Sequence, residues 1–260
     1  MTYFYHFELL KSYSGCIHAV TMKVDDAPYG FSLALHTGEL PECIVANRKL
    51  IERLFTKDEK LHFVIANQTH SDNIHIVTES ETKGWEEQES AIANCDALIT
   101  EQKGIMLGVL TADCVPVLLY DPQREVVAAV HAGWKGTKEQ IVAKTVRKMQ
   151  EVFGSEPADI VAGIAPAIGK CCYEVGEEVA EHFLDIPDAC EAKGDKYMLD
   201  LPYINKYQLL DAGLKAEHIE MSDICTACET AKFFSYRKEE GCSGRFMSLI
   251  GMKKDKCGTE

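Results

Sequence analysis

Positive charge is scarce in this chain. It carries 27 lysines and arginines against 41 aspartates and glutamates, a formal net charge of −14. A surface this acidic speaks against nucleic acid as a partner. It still permits a small anion such as phosphate, which needs only a local nest of donors. No apolar run is long enough to span a bilayer, so no membrane partner is expected. Internal repeats, low-complexity stretches and breaks in composition are also missing, which leaves one domain over residues 1–260 as the expectation. The opening Met1-Thr2-Tyr3-Phe4-Tyr5-His6 has no basic stretch followed by a long apolar run, so no export signal is expected. The 11 cysteines, spread from Cys16 to Cys257, are odd in number. Without export they read as reduced thiols of a cytoplasmic protein.

What is present is a series of short apolar runs. Those at 61–66, 96–99, 105–110, 115–120, 126–130 and 159–164 read as strands. Regions around 31–36, 231–236 and 246–251 also look strand-rich. Helical spacing of Ile141, Val142, Thr145, Val146, Met149 and Phe153 predicts a helix over about 138–153. Thr137-x-x-Gln140 would be its capping box and Gly154 its stop. Further helices are expected from Pro41 to about Phe55, over about 174–185, and from Pro202 to Ala212 with Gly213 as the stop. Strands come in runs with few helices between them. The expected class is therefore α+β, with mixed β-sheets packed between outer helices.

Three of the runs turn abruptly polar at a residue that can bind metal or react: His70, Cys114 and His131. Two imidazoles and a thiolate, once gathered, could bind zinc and leave a fourth position for water. The same atoms could form a nucleophilic Cys–His pair. Taken singly, a hydrogen-bonded surface histidine and a buried inert thiol are the ordinary outcomes. Against that, Thr111 and Asp113 are polar between two apolar runs, which core packing does not explain. His131 also opens a Gly133-x-x-Gly136 loop that leads into a helix, with Lys135 inside it. Backbone N–H groups, a helix N-terminus and a lysine together make a candidate oxyanion or phosphate cradle.

Arg48 shares a helix face with Ile44, Ile51 and Phe55, where an unpaired charge is costly. An internal carboxylate and a bound anion are the two partners considered for it. Arg237 and Arg245 follow polar or glycine residues near strands and are candidate anion contacts, although a solvated arginine is commoner. Cys225-x-x-Cys228 resembles half a zinc site or a redox pair, but no second CxxC exists and it is read as structural. Cys171 and Cys172 are adjacent, so their side chains are expected to diverge and not to act together.

In order, several segments resemble the YfiH-type laccase-domain family, also called multicopper polyphenol oxidase-like and associated with purine nucleoside phosphorylase activity. They are Asn47-Arg48, Gln68-Thr69-His70, Thr111-Ala112-Asp113-Cys114-Val115-Pro116 and His131-Ala132-Gly133-Trp134-Lys135-Gly136. Then follow Pro166-Ala167-Ile168-Gly169, Cys172-Tyr173-Glu174-Val175-Gly176, Leu199-Asp200-Leu201, Cys225-Thr226, Phe234-Ser235-Tyr236-Arg237 and Gly244-Arg245. The resemblance covers about residues 30–250. Ser71 stands where the family often has glycine, Lys135 where it often has arginine, and Ala165 where it usually has glycine. The Lys135 change keeps a charge but loses bidentate geometry toward phosphate.

The resemblance implies mixed sheets between helices and a zinc ion on His70, Cys114 and His131, with copper as the other metal. It implies phosphorolysis of adenosine, inosine and methylthioadenosine to base and sugar 1-phosphate, with adenosine deamination as a side activity. On this reading phosphate sits near Arg48 and the His131 loop, with Lys135, Arg237 and Arg245 as further substrate contacts. Asp113 is the acid nearest by position, or else a residue that orients a ligand. The HxE and PCxxC pattern of base-editing zinc deaminases is absent. Three other readings stay open: a copper phenol oxidase, a metal or thiol protein without turnover, and a Cys–His hydrolase. Only 9 histidines are present, which counts against several copper centres.

Overall fold

Continuous apolar runs form strands when both faces of a sheet are covered. The computed structural model, which describes residues 3–55, 60–241 and 244–254, shows this arrangement. Met1, Thr2 and Cys257 lie outside the described residues. The strands are β1 (Phe4–Tyr5), β2 (Cys16–Thr21), β3 (His62–Ile65), β4 (Ile74–Ile76), β5 (Ala97–Thr100), β6 (Ile105–Thr111), β7 (Val115–Asp121) and β8 (Val126–Ala132). They continue as β9 (Val161–Ile164), β10 (Glu174–Val175), β11 (Cys190–Lys193), β12 (Lys196–Leu199), β13 (Ile219–Met221) and β14 (Phe246–Met252). The α-helices are α1 (Glu8–Lys11), α2 (Pro41–Phe55), α3 (Trp134–Lys138), α4 (Ile141–Phe153), α5 (Glu177–Ala180) and α6 (Leu201–Asp211).

Two mixed sheets stack face to face. One has the order β1-β2-β14-β6-β3 and the other β13-β9-β7-β8-β5-β4, while β10-β12-β11 form a small third sheet. In the first, β3 runs parallel to β6 and β14 antiparallel to both β6 and β2. Alternation along β8 shows the layering. Val127 and Ala129 join the core between the sheets, whereas Ala128 and Val130 join the core under α4 and α6. Along β6, Ile105, Leu107 and Val109 face the shared core, and Met106 and Leu110 pack toward Ile51 of α2. The result is helix, sheet, sheet, helix, as the mixture of elements predicts.

Several local expectations are corrected. The segments 31–36 and 231–236 are not strands; they are turns and irregular chain. The helix expected over about 174–185 is a short strand followed by the single turn of α5. The helix expected over about 138–153 forms as α4 with Ile141, Val142, Thr145, Val146 and Met149 buried, but it starts at Ile141, because Gln140 takes a left-handed conformation, φ 59°, between α3 and α4. No capping box forms there: the Thr137 hydroxyl instead accepts a hydrogen bond from Asn205 Nδ2 at 3.0 Å. The stop at Gly154 does hold. It is left-handed, φ 68°, and its N–H closes on the Gln150 carbonyl. No helix among the described residues is long and apolar enough to cross a membrane.

Candidate active site and metal centre

Cys114 occupies the turn by which the chain passes from β6 in one sheet to β7 in the other. That crossover requires Asp113 at φ 86°. The Asp113 carboxylate accepts hydrogen bonds from Thr226 Oγ1 at 2.7 Å and from the Arg237 backbone N–H at 2.6 Å. Asp113 thereby fixes the Cys114 turn against the late loop that carries Tyr236 and Arg237.

His70 lies in the loop after β3, itself left-handed at φ 59°. Gln68 fastens this loop to β6, donating to the Leu110 carbonyl and accepting from the Leu110 N–H at 2.8 and 2.7 Å. His131 is buried near the end of β8. The sequence alone did not single out Asp96, the polar first residue of the apolar run 96–99. Its carboxylate accepts from His131 Nδ1 at 2.7 Å, from the backbone N–H of Thr69, His70 and Ser71, and from the Ser71 hydroxyl. One buried carboxylate thus holds His131 directly and His70 through its backbone. With Nδ1 engaged, Nε2 of His131 is left to face the cleft.

The Cys114 Sγ is 3.8 Å from His70 Nε2, the two imidazole centroids are 4.8 Å apart, and the three ligand atoms lie within 4.8 Å of one another. Gly133 gives them room: a Cβ there would meet His70 Cδ2 at 2.9 Å and Cys114 Sγ at 3.2 Å. Burial by itself pushes the Cys114 thiol up, but the charge and hydrogen bonds of His131 and His70 outweigh it and bring the group to about 6. For His131 burial acts downward, and the Cys114 charge with the Asp96 hydrogen bond lifts it to about 9. Burial raises Asp96, yet the His131 and Ser71 hydrogen bonds hold it at about 2. A thiolate and two histidines, one oriented by a carboxylate, form a donor set that fits a metal ion with an open position.

The set opens into a cavity of about 520 Å³, within the size range of small-molecule sites. Arg237 and Arg245 line it, together with the aromatic side chains Trp134, Tyr173 and Tyr236. The Arg237 guanidinium lies over Tyr173, with Nη1 donating to the Glu174 carbonyl at 2.8 Å, and Arg245 lies over Tyr236. Burial, then the Cys114 charge, outweigh the opposing charge of Arg237 and leave the Tyr173 hydroxyl pushed up to about 12. The sequence placed all three aromatics only inside longer motifs, without a role.

Two expected substrate contacts fall elsewhere. Arg48 is fully buried, and its guanidinium donates to the backbone carbonyls of Leu33, Gly84 and Trp85 at 2.5–2.9 Å. Its partners are therefore neither of the two considered, carboxylate or anion, and it ties α2 to two loops outside the cavity. Lys135 is exposed, lies over the Trp134 ring, and does not line the cavity. The cysteines also depart from expectation: Cys171 and Cys172 both approach the Cys225–Cys228 turn.

Residues 18–253 match the family described as multi-copper polyphenol oxidoreductase laccase. Purine nucleoside phosphorylase YlmD of Bacillus subtilis (strain 168) is 36% identical over 238 residues, covering 89% of this chain and 85% of that protein. Adenosine deaminase RL5 of an unknown prokaryotic organism is 40% identical over 198 residues, covering 73% of this chain and 75% of that protein. The crystal structure of YlmD from Geobacillus stearothermophilus superposes with a TM-score of 0.88 at 31% identity, covering 95% of this chain and 94% of that one.

Proposed function

This chain belongs to the multi-copper polyphenol oxidoreductase laccase family, and from that premise we propose that it is a zinc-dependent purine nucleoside phosphorylase with adenosine deaminase side activity. The observation that carries the reading is that one cavity holds both the His70–Cys114–His131 set and two arginines. A metallohydrolase needs the first; phosphate as co-substrate needs the second.

In phosphorolysis a phosphate oxygen forms a bond to C1′ while the C1′–N bond breaks, its electron pair leaving with the purine, which takes up a proton. Arg237 and Arg245 bind the phosphate and offset its charge as it approaches the sugar. Trp134, Tyr173 and Tyr236 offer faces and hydroxyls to base and ribose, and the Tyr173 hydroxyl stays a neutral donor at physiological pH. Asp113 positions the Cys114 turn and the Arg237 backbone. Zinc held by His70, Cys114 and His131 would supply a Lewis acid and a water activated near neutral pH. For deamination the pocket must hold the purine with C6 toward that set, where oxygen replaces the amino group and ammonia leaves. Adenosine, inosine and methylthioadenosine are the proposed substrates, with phosphate.

Incubation with adenosine, with and without phosphate, followed by chromatography of adenine, inosine and hypoxanthine tests this. Phosphate-dependent adenine in the wild type and none with Cys114→Ala is the expected result, and inosine without phosphate marks the deaminase. No product in either condition ends the nucleoside reading. Phenol oxidation by copper-loaded protein would then put a copper oxidase in its place. Full activity after rigorous chelation would instead make Cys114 a nucleophile.

A further inference from the structure

We propose that Cys171, Cys172, Cys225 and Cys228 form a second metal site, a structural zinc clasp separate from the His70–Cys114–His131 centre. The four sulfurs lie within 4.8 Å of one another, with Cys228 Sγ 3.6 Å from Cys171 Sγ and 3.5 Å from Cys172 Sγ. A tetrahedral zinc with Zn–S bonds of about 2.3 Å sets its sulfurs roughly 3.8 Å apart. A disulfide would bring two of them to about 2.05 Å. Sulfurs around an iron–sulfur cluster stand further apart, because several irons and sulfides lie between them. The observed spacing therefore fits a single ion.

Two turns present the four thiols. Glu229 N–H closes on the Cys225 carbonyl at 3.0 Å, bending the CxxC segment back on itself. On the other side Tyr173 N–H closes on the Gly169 carbonyl at 3.0 Å, which curls 171–172 so that both side chains reach the same point. That curl is why adjacent cysteines act together here, which an extended segment would forbid. The turns are held in register by a parallel bridge between Ala167 and Cys225. The Gly169 backbone N–H donates to Cys225 Sγ at 3.2 Å, a bond that favours the thiolate a metal needs. Four clustered thiols, two of them exposed, would otherwise be an oxidation hazard.

The clasp joins the loop after β9 to the segment 222–237. These carry Tyr173 on one side and Tyr236 and Arg237 on the other, all lining the substrate cavity. An ion here braces the cavity wall without touching its contents. The proposal does not depend on which reaction the cavity supports.

The test is zinc content of the full chain, grown with zinc, purified under reducing conditions and dialysed against metal-free buffer. Wild type should hold about two zinc ions per chain, and His70→Ala/Cys114→Ala about one. Cys225→Ser/Cys228→Ser should also hold about one. If that variant fails to fold, X-ray absorption on His70→Ala/Cys114→Ala decides independently, with four sulfurs at about 2.3 Å expected. Absence of zinc from His70→Ala/Cys114→Ala, nitrogen or oxygen ligands, or a native disulfide within the four cysteines would overturn the clasp. Iron at this position would overturn the assignment to zinc.

Discussion

Asp96 accepts a 2.7 Å hydrogen bond from His131 Nδ1 while the same carboxylate caps the backbone of the His70 loop. Two of the three candidate ligands thus depend on one buried side chain. Asp96→Asn removes the charge and one of the acceptor oxygens. The expected loss is about 10–100-fold in metal affinity or activity, the range for residues that orient metal ligands. Competition against a chromophoric chelator measures it, and unchanged affinity would detach Asp96 from the centre.

Gly133→Ala should damage the centre and spare the fold. The backbone there, φ −72°, suits alanine, but the new Cβ would press on His70 and Cys114. Metal binding and turnover should fall sharply while the circular dichroism spectrum and melting temperature change little. A variant that binds metal as the wild type does would show that the crowding is relieved without cost.

The arginines separate by role. Arg48→Lys should leave the KM for phosphate unchanged and lower stability by about 3 kcal/mol or more, since lysine cannot reach the Leu33, Gly84 and Trp85 carbonyls together. Arg237→Met should raise the KM for phosphate with little loss of stability, because Arg237 is exposed at the cavity mouth. Steady-state kinetics beside urea unfolding distinguishes the two. The opposite pattern would return Arg48 to the substrate site.

Stability should also fall in mild acid through a group far from the metal centre. His18 is buried and accepts a hydrogen bond from the Phe7 N–H at 2.9 Å, so the fold prefers it neutral. Burial, then the nearby His6 charge, lower it from 6.5 to about 4. Between those values the unfolded chain binds more protons than the folded one. The stabilisation is complete above about pH 6.5 and is lost as pH falls toward 4, by about 3 kcal/mol at most. Urea midpoints for wild type and His18→Gln over this range should show a shallower slope in the variant.

The central strands β3, β5, β6, β7, β8, β9 and β14 were legible in the sequence because both sheets are covered on both faces, so β6, β7 and β8 read as unbroken apolar runs; β1, β2, β4 and β10 to β13 were not foreseen. His70, Cys114 and His131 were legible because each interrupts or ends such a run. Asp96 was hidden at the head of one. Its purpose appears only when β5 pairs with β8 and brings it against His131, 35 residues away in sequence. Arg48 misled because an arginine on an apolar helix face has a third partner, the free carbonyls of irregular loops, which periodicity does not reveal. The four-cysteine cluster was illegible for a similar reason: the parallel bridge from Ala167 to Cys225 unites two turns more than 50 residues apart.

Phosphorus NMR of the wild-type reaction with adenosine and inorganic phosphate tests the central claim most directly. Inorganic phosphate should convert to a sugar phosphate ester in step with release of adenine, and the conversion should vanish with Cys114→Ala. Free adenine with the phosphate resonance unchanged, or ester formation that survives Cys114→Ala, would contradict a phosphorylase built on the His70–Cys114–His131 centre.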